Sequence, residues 1–304
     1  MAAKHIIPGF DDPTCGIAVA AKQLVARGVG EDGEVWVHSM WTPMVIKASV
    51  KALLTGKKLV RMPHGCTDPT KLRHHWHKKR WVAPIERWLF RHADRLISTC
   101  EDEVKWIKAF EPRVKRVEIV RLSVSNSMPI QQSAKPHNGN HSDALKLLYV
   151  GRLHKLKGLE YLFEALPGNV KLVVIGKEDG EGAKLQKIAD RRGLAVEFRG
   201  VVSEEEKNAA YDACDALVLP TLSENFGLVV AEALERGKMV ITTDGAPAWG
   251  EGVSRVERVE TCREGEIMVG CGGRLIYLKG YREGMKEKRV ALLKMAIEIL
   301  GGAY

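Results

Sequence analysis

Short β-branched and leucine-rich runs alternate along this chain with stretches in which apolar residues recur every three or four positions. In the second half the runs lie at 145–150, 170–175, 196–198, 216–219 and 239–243, with helical patterns near 158–166, 181–192, 203–213 and 226–236 between them. The first half repeats this more weakly. Its strand candidates are 6–8, 34–38, 58–62, 95–99 and 117–120, and its helical candidates are 16–27, 43–54, a long one near 71–92, and 101–110. Strand and helix alternating at this spacing predict parallel sheets covered by helices. The polar stretch from Pro129 to Asp143, rich in Pro, Gly, Asn and Ser, has no hydrophobic period and reads as a linker. The expected organisation is an α/β chain of two Rossmann-like, doubly wound parallel-sheet domains facing a cleft, at 1–128 and 145–304, joined by 129–144. An amphipathic pattern over 285–300 predicts a last helix that packs back onto the first domain.

A chain of 304 residues accommodates two such domains. Its 45% apolar and 28% charged residues are those of a globular protein rather than a disordered one. No run of 18 apolar residues occurs and the start, Met-Ala-Ala-Lys-His, lacks a signal core, so a cytoplasmic location is expected. The six cysteines form no CxxC pair, which argues against a zinc site or a disulfide framework. His74, His75 and His77 sit in a Lys/Arg-rich stretch and read as a solvated face rather than metal ligands.

Charge changes the picture more. Residues 1–144 carry 23 Lys and Arg against 14 Asp and Glu, whereas residues 145–304 carry 24 of each, so the whole excess of +9 lies in the first half. That asymmetry implies an anionic partner there: a phosphorylated acceptor, an anionic lipid surface or nucleic acid. The helix near 71–92 concentrates it, with Lys71, Arg73, Lys78, Lys79, Arg80, Arg87 and Arg91, and Arg95 just beyond, against Glu86. Trp81, Ile85, Trp88 and Leu89 recur along it at helical spacing. This stripe is either the helix's buried face or, with Trp76 and the basic residues, a membrane-docking face of residues 71–95. Nucleic acid is the less expected partner, because the Trp residues lie on helical patterns and not on a sheet where bases stack.

The chain has no GxxxxGK[ST], and Gly176, Gly180 and Gly182 are spaced GxxxGxG rather than GxGxxG. It does have Gly151-Arg152-Leu153-His154-Lys155-Leu156-Lys157-Gly158 directly after a strand. In a parallel sheet that strand end opens into the ligand crevice, so Arg152 and Lys157 are candidates for holding an anion; a basic solvent loop has the same composition. Further on, Ser223-Glu224-Asn225-Phe226-Gly227-Leu228 follows a buried strand and opens a helix near Phe226 or Gly227, whose first backbone N–H groups make an anion site. Eight residues of helix rise, about 12 Å between Glu224 and Glu232, exceed the roughly 5 to 9.5 Å of paired glycosidase carboxylates. The two read as separate contacts along an elongated ligand.

Arg152, Lys157, the Glu224-x7-Glu232 array with its Phe-Gly pair, and Thr242-Thr243-Asp244-Gly245-Ala246-Pro247 resemble the donor-binding domain of glycosyltransferase family 4. Met40-Trp41-Thr42-Pro43 and Pro63-His64-Gly65-Cys66-Thr67-Asp68-Pro69 are similar to the acceptor domain of its bacterial members that build lipopolysaccharide and other surface polysaccharides. The resemblance implies a GT-B fold and a retaining, metal-independent transfer of sugar from a nucleotide-sugar donor to a saccharide or lipid-linked acceptor, with no cofactor, in a cytoplasmic enzyme peripheral to the inner face of the cell membrane. It implies that Arg152 and Lys157 hold the diphosphate, Glu232 the ribose, and Glu224, Asn225 and the backbone of Phe226, Gly227 and Leu228 the sugar. The base would lie near Gly176 and Val202, Gly16 near the phosphates, and His64 against the sugar. Thr14-Cys15-Gly16-Ile17 departs from the Gly-Gly pair frequent in that loop, and residues 251–273 carry no recognisable motif. Other GT-B sugar-nucleotide chemistry, an epimerase or a phosphorylase, is the nearest enzymatic alternative; a non-catalytic polyanion-binding protein is the alternative outside enzymes.

Overall fold

The computed structural model describes residues 3–12, 15–122, 144–252, 256–262, 265–270 and 274–302. All of the expected linker but residue 144 lies outside the described residues. The chain divides into two compact units, Met1–Ser123 and Val124–Tyr304.

In the first unit, β1 (Lys4–Ile6), β2 (Glu34–His38), β3 (Lys58–Met62), β4 (Arg95–Ser98) and β5 (Glu118–Ile119) form a parallel sheet in chain order. Every residue of β2 is buried, as a strand covered on both faces requires. The helices are α1 (Gly16–Ala26), α2 (Pro43–Leu54), α3 (Pro69–Arg73), α4 (Trp76–His92) and α5 (Glu101–Phe110). Thr42 caps α2 through Val45 N–H and Pro43 occupies its first turn, where no intrahelical donor is lost. The single helix expected over 71–92 is corrected to two. His75 takes a left-handed conformation (φ 56°) that a right-handed helix cannot propagate, and the polar His74-His75 pair gave the apolar period no sign of it.

The stripe expected on α4 also divides. Leu89 is buried with Ala83, Glu86 and Phe90, whereas Trp81, Ile85 and Trp88 are exposed, Trp81 at 73%. Glu86, which reads in the sequence as part of a basic solvent face, turns inward. It pairs with Arg61 at 2.7 Å, both side chains fully buried.

The second unit contains β6 (Lys146–Val150), β7 (Lys171–Ile175), β8 (Ala195–Gly200), β9 (Ala216–Leu219), β10 (Met239–Thr243), β11 (Val256–Cys262), β12 (Gly265–Gly270) and β13 (Leu275–Lys279). Its helices are α6 (Leu159–Ala165), α7 (Gly182–Arg192), α8 (Glu204–Ala213), α9 (Leu228–Glu235), α10 (Pro247–Gly252) and α11 (Lys286–Gly302). The sheet order is β11-β12-β13-β10-β9-β6-β7-β8. The chain lays β7 and β8 on one side of β6 and returns to place β9 and β10 on the other. The order therefore reverses between β6 and β9, as a doubly wound sheet does; the first sheet has no such reversal. The motif-free residues 251–273 contribute β11 and β12, antiparallel additions to an otherwise parallel sheet. Leu292, Leu293, Ala296, Ile297 and Leu300 of α11 are buried in the core of the second unit, against α6.

Candidate functional site

The carboxyl ends of β6 and β9 flank the reversal, where open α/β sheets bind ligands because the two loops diverge and leave a crevice. The loop after β6 carries Arg152 and Lys157; the loop after β9 carries Glu224 to Gly227. Backbone contacts lock the loops together. Leu222 N–H donates to Leu156 O at 2.8 Å, Thr221 Oγ1 to the same oxygen at 3.1 Å, and Glu224 N–H to Gly245 O at 2.7 Å. Gly158 sits at φ 68°, and a Cβ there would lie 2.0 Å from Pro220 O, so only glycine allows this approach. Gly176, after β7, is equally constrained: a Cβ would stand 1.9 Å from Gly151 O. Its N–H donates to Gly200 O, so the ends of β6, β7 and β8 close up beside the crevice.

Lys157, at the end of a 3-10 turn (Lys155–Lys157), donates from Nζ to the Glu224 carboxylate, and both side chains are largely buried. The two residues, 67 positions apart, are thus brought into direct contact. Arg152 lies farther out, its Nη1 on Asp179 Oδ2 at 2.7 Å, with both side chains substantially exposed. Such an exposed pair is worth about 0–1 kcal/mol, so Asp179 holds Arg152 only weakly. Tyr149 Oη donates to Arg152 O at 2.9 Å and holds the loop; burial, then the Glu224 carboxylate, push this phenol well above its ordinary range. His154 accepts Leu156 N–H at 3.2 Å, and burial lowers its pKa, which suits a neutral acceptor.

Helix α9 begins at Leu228 behind Gly227, which is left-handed (φ 72°) and offers no side-chain cap. Asn225 is buried and its N–H donates to Glu224 Oε1 at 3.1 Å. Phe226 packs against Trp249, whose Nε1 donates to Phe226 O at 2.5 Å. One turn into α9, Glu232 accepts from Tyr211 Oη at 2.9 Å and lies 3.3 Å from Lys207 Nζ. Burial, and then Glu232 itself, raise the Tyr211 pKa, which keeps the phenol a donor. Val202 is half-buried in the turn before α8, and neighbouring Arg199 is engaged by Glu197 at 2.8 Å.

The remaining expected residues, His64 and Gly16, belong to the first unit. Gly16 opens α1, where a Cβ would meet no described atom within 4 Å. His64 is buried in the turn after β3 with a left-handed backbone (φ 54°). Among the described residues no three His, Cys, Asp or Glu side chains gather as metal ligands. Sequence reasoning missed Asp179, Tyr211 and Trp249, since each is a single polar or aromatic residue in an element of its own. It also missed His5, His38 and Glu103 around His64; the only available signal was the alternation of Trp36 and His38 on one face of β2.

Residues 131–254 match the family model of glycosyl transferases group 1, and residues 34–123 the glycosyl transferase 4-like domain. The chain is 33% identical over 177 residues to D-inositol 3-phosphate glycosyltransferase of Streptomyces scabiei, an alignment covering 51% of this chain and 40% of that protein. The chain thus matches well under half the length of that curated relative. Among solved structures, a glycosyltransferase involved in lipopolysaccharide biosynthesis superposes over 100% of this chain and 92% of its own (TM-score 0.65, 16% identity). Anabaena HepE, solved with UDP and glucose, superposes over 94% and 75% (TM-score 0.60, 17% identity). The fold is that of the GT-B class, with two Rossmann-like sheets. More particularly, the chain carries two glycosyltransferase-type domains.

Proposed function

We propose that this chain is a retaining, metal-independent glycosyltransferase that binds a nucleotide-activated sugar at the β6–β9 crevice and passes the sugar to a saccharide or lipid-linked acceptor in cell-envelope polysaccharide assembly. The observation that carries it is the Lys157–Glu224 pair at the point where the strand order reverses, beside the uncapped start of α9. Lys157, Arg152 and the first N–H groups of α9 stabilise the charge that develops on the departing diphosphate. Glu224 meets the sugar hydroxyls and Glu232 the ribose. Because Glu224 is bonded to an ammonium group, it is suited to holding hydroxyls rather than to taking a proton. Sugar transfer on the face that the diphosphate leaves, with the cations of the protein in place of a metal, is the mechanism this arrangement favours. The likeness to a glycosyltransferase involved in lipopolysaccharide biosynthesis supports the envelope setting.

A thermal-shift screen of UDP, GDP, ADP and their sugars tests the donor site, with UDP and UDP-glucose first given the ligands of the HepE structure. One base family at about 100 times its Kd is expected to raise Tm by about 5 to 10 °C through mass action. No stabilisation by any of them rejects the reading.

The first unit docks on an anionic membrane face through the exposed ridge of Trp81, Ile85 and Trp88, with Lys78 and Arg80 beside it. Each basic residue adds on the order of 1 kcal/mol at such a surface, which gives reversible, salt-sensitive attachment. Arg87, stacked over Phe110, and Arg91, paired with Glu111 at 3.5 Å, are engaged within the unit and contribute less. Cosedimentation with anionic vesicles is expected to fall at high salt and on changing Lys78 and Arg80 to Ser. Binding indifferent to lipid charge argues against docking.

A further inference from the structure

Three histidines from separate parts of the first unit form a hydrogen-bonded row. His5 on β1 is the register partner of Trp36 on β2, and His38 lies two residues beyond Trp36, so all three side chains share one face of the sheet. His5 Nε2 lies 3.2 Å from Val29 O, His5 Nδ1 lies 3.0 Å from His38 Nε2, and His38 Nδ1 lies 2.8 Å from His64 Nε2. The rings layer at 5.3 Å and 5.1 Å between centroids.

This row has one consistent arrangement of protons. The Val29 carbonyl only accepts, so His5 carries its proton on Nε2 and its Nδ1 is a bare acceptor. His38 must then donate from Nε2, which leaves its own Nδ1 to accept from His64 Nε2–H. This arrangement holds for neutral rings, and burial keeps them neutral. It lowers His5, takes His38 well below its ordinary value, and takes His64 to about 3, with Lys71 adding to the effect on His64. His64 therefore ends the row with a lone pair on Nδ1, and among the described residues no protein group bonds that atom. Its backbone is held as well. The buried Glu103 carboxylate accepts Gly65 N–H, together with Thr99 N–H at 2.8 Å and Thr99 Oγ1 at 2.9 Å, and so fixes the peptide next to a left-handed residue. In the same turn the buried Thr67 Oγ1 has no partner among the described residues.

We infer that His5 and His38 are positioning residues which, anchored on the Val29 carbonyl, hold His64 in its Nε2–H tautomer, so that its Nδ1 is kept as a hydrogen-bond acceptor for a hydroxyl of a sugar ligand. The inference rests on the expectation, implied by the family resemblance, that His64 meets a sugar. A free imidazole exchanges its proton between both nitrogens, and half of those states turn a donor toward the hydroxyl oxygen. The relay removes that choice before the ligand arrives.

The test is a long-range ¹H–¹⁵N spectrum of the full chain with labelled histidine at pH 7.5, with His64 assigned through His64→Asn. The parent is expected to show His64 neutral and protonated on Nε2. His38→Phe keeps a ring but breaks the row, and should give a mixture of tautomers. His38→Gln, whose amide both donates and accepts, should restore the single form. If His38→Phe does not fold, His5→Phe interrupts the row one step earlier with the same expectation. In parallel, the affinities for UDP-glucose and UDP, or the corresponding pair for the base that the thermal-shift screen selects, are compared. His38→Phe should weaken the nucleotide sugar about two- to tenfold, the worth of one hydrogen bond, and leave the nucleoside diphosphate unchanged. A His64 that is charged or protonated on Nδ1 in the parent, or a tautomer indifferent to His38→Phe, overturns the relay. A locked tautomer combined with unchanged sugar affinity overturns the sugar contact, and with it the reading of His64.

Discussion

Lys157→Ala is expected to lower sugar transfer by about 100- to 1,000-fold in kcat, the cost of removing one preorganised charge-stabilising donor from a site of this kind. The ammonium already points into the crevice on Glu224 and is largely buried, so no other cation takes its place without moving. Arg152→Ala should do less, because Arg152 is half-exposed and shares its charge with Asp179. Lys157→Arg is a useful control: it keeps the charge but puts a larger guanidinium into a largely buried position, and should recover only part of the loss. The measurement is steady-state transfer from the donor found by thermal shift, with diphosphate affinity determined separately. If Lys157→Ala retains more than about a tenth of parental turnover, a loss well short of that usual for such a donor, the leaving group is stabilised elsewhere.

The second large effect concerns stability. Glu86→Ala leaves the Arg61 guanidinium charged and fully buried, and should cost about 3 to 5 kcal/mol, a large share of the roughly 5 to 15 kcal/mol that holds typical domains folded. Arg61 also donates to Ser49 Oγ at 3.1 Å and Ser39 O at 3.3 Å, while Glu86 Oε1 accepts Trp41 N–H at 2.7 Å. The pair therefore ties α4 to β3 and to the loop after β2, in which Ser39 and Trp41 both have positive φ. Replacing both charges together, Arg61→Met with Glu86→Leu, should restore much of the stability because no orphan charge remains. Urea unfolding followed by circular dichroism measures both variants. A loss below about 1 kcal/mol for Glu86→Ala would mean that Arg61 finds water, contrary to its burial and to the cost expected of an unpaired buried charge.

Much of the candidate site is legible in the sequence, for a local reason. Arg152 and Lys157 share one short loop, and Glu224 to Leu228 share another, so their placement at strand ends follows from recognising two strands. Which loop neighbours which was not legible. Lys157 touches Glu224 because β6 and β9 are adjacent, although β7, β8 and three helices separate them in sequence. The partners Asp179 and Tyr211 enter from elements whose own sequences carry no motif. Residues 251–273 carry no legible signal because the edge strand β11 and its neighbour β12, with mixed polar and apolar residues, give no clean period.

The sequence by itself determined the alternation of strand and helix, the bounds of the strands at 34–38, 58–62, 216–219 and 239–243, and the placement of Arg152, Lys157 and Glu224 in two loops that follow strands. These depend on hydrophobic period and turn chemistry, which act over a few residues. Only the tertiary structure decided the lateral order of the strands, and with it the crevice at β6 and β9. It also decided that Glu86 turns inward to Arg61 while Trp81 turns outward, and that His5, His38 and His64 line up. A helical period fixes which residues share a face but not which neighbour that face meets, and strand pairing joins residues whose separation along the chain leaves no local trace.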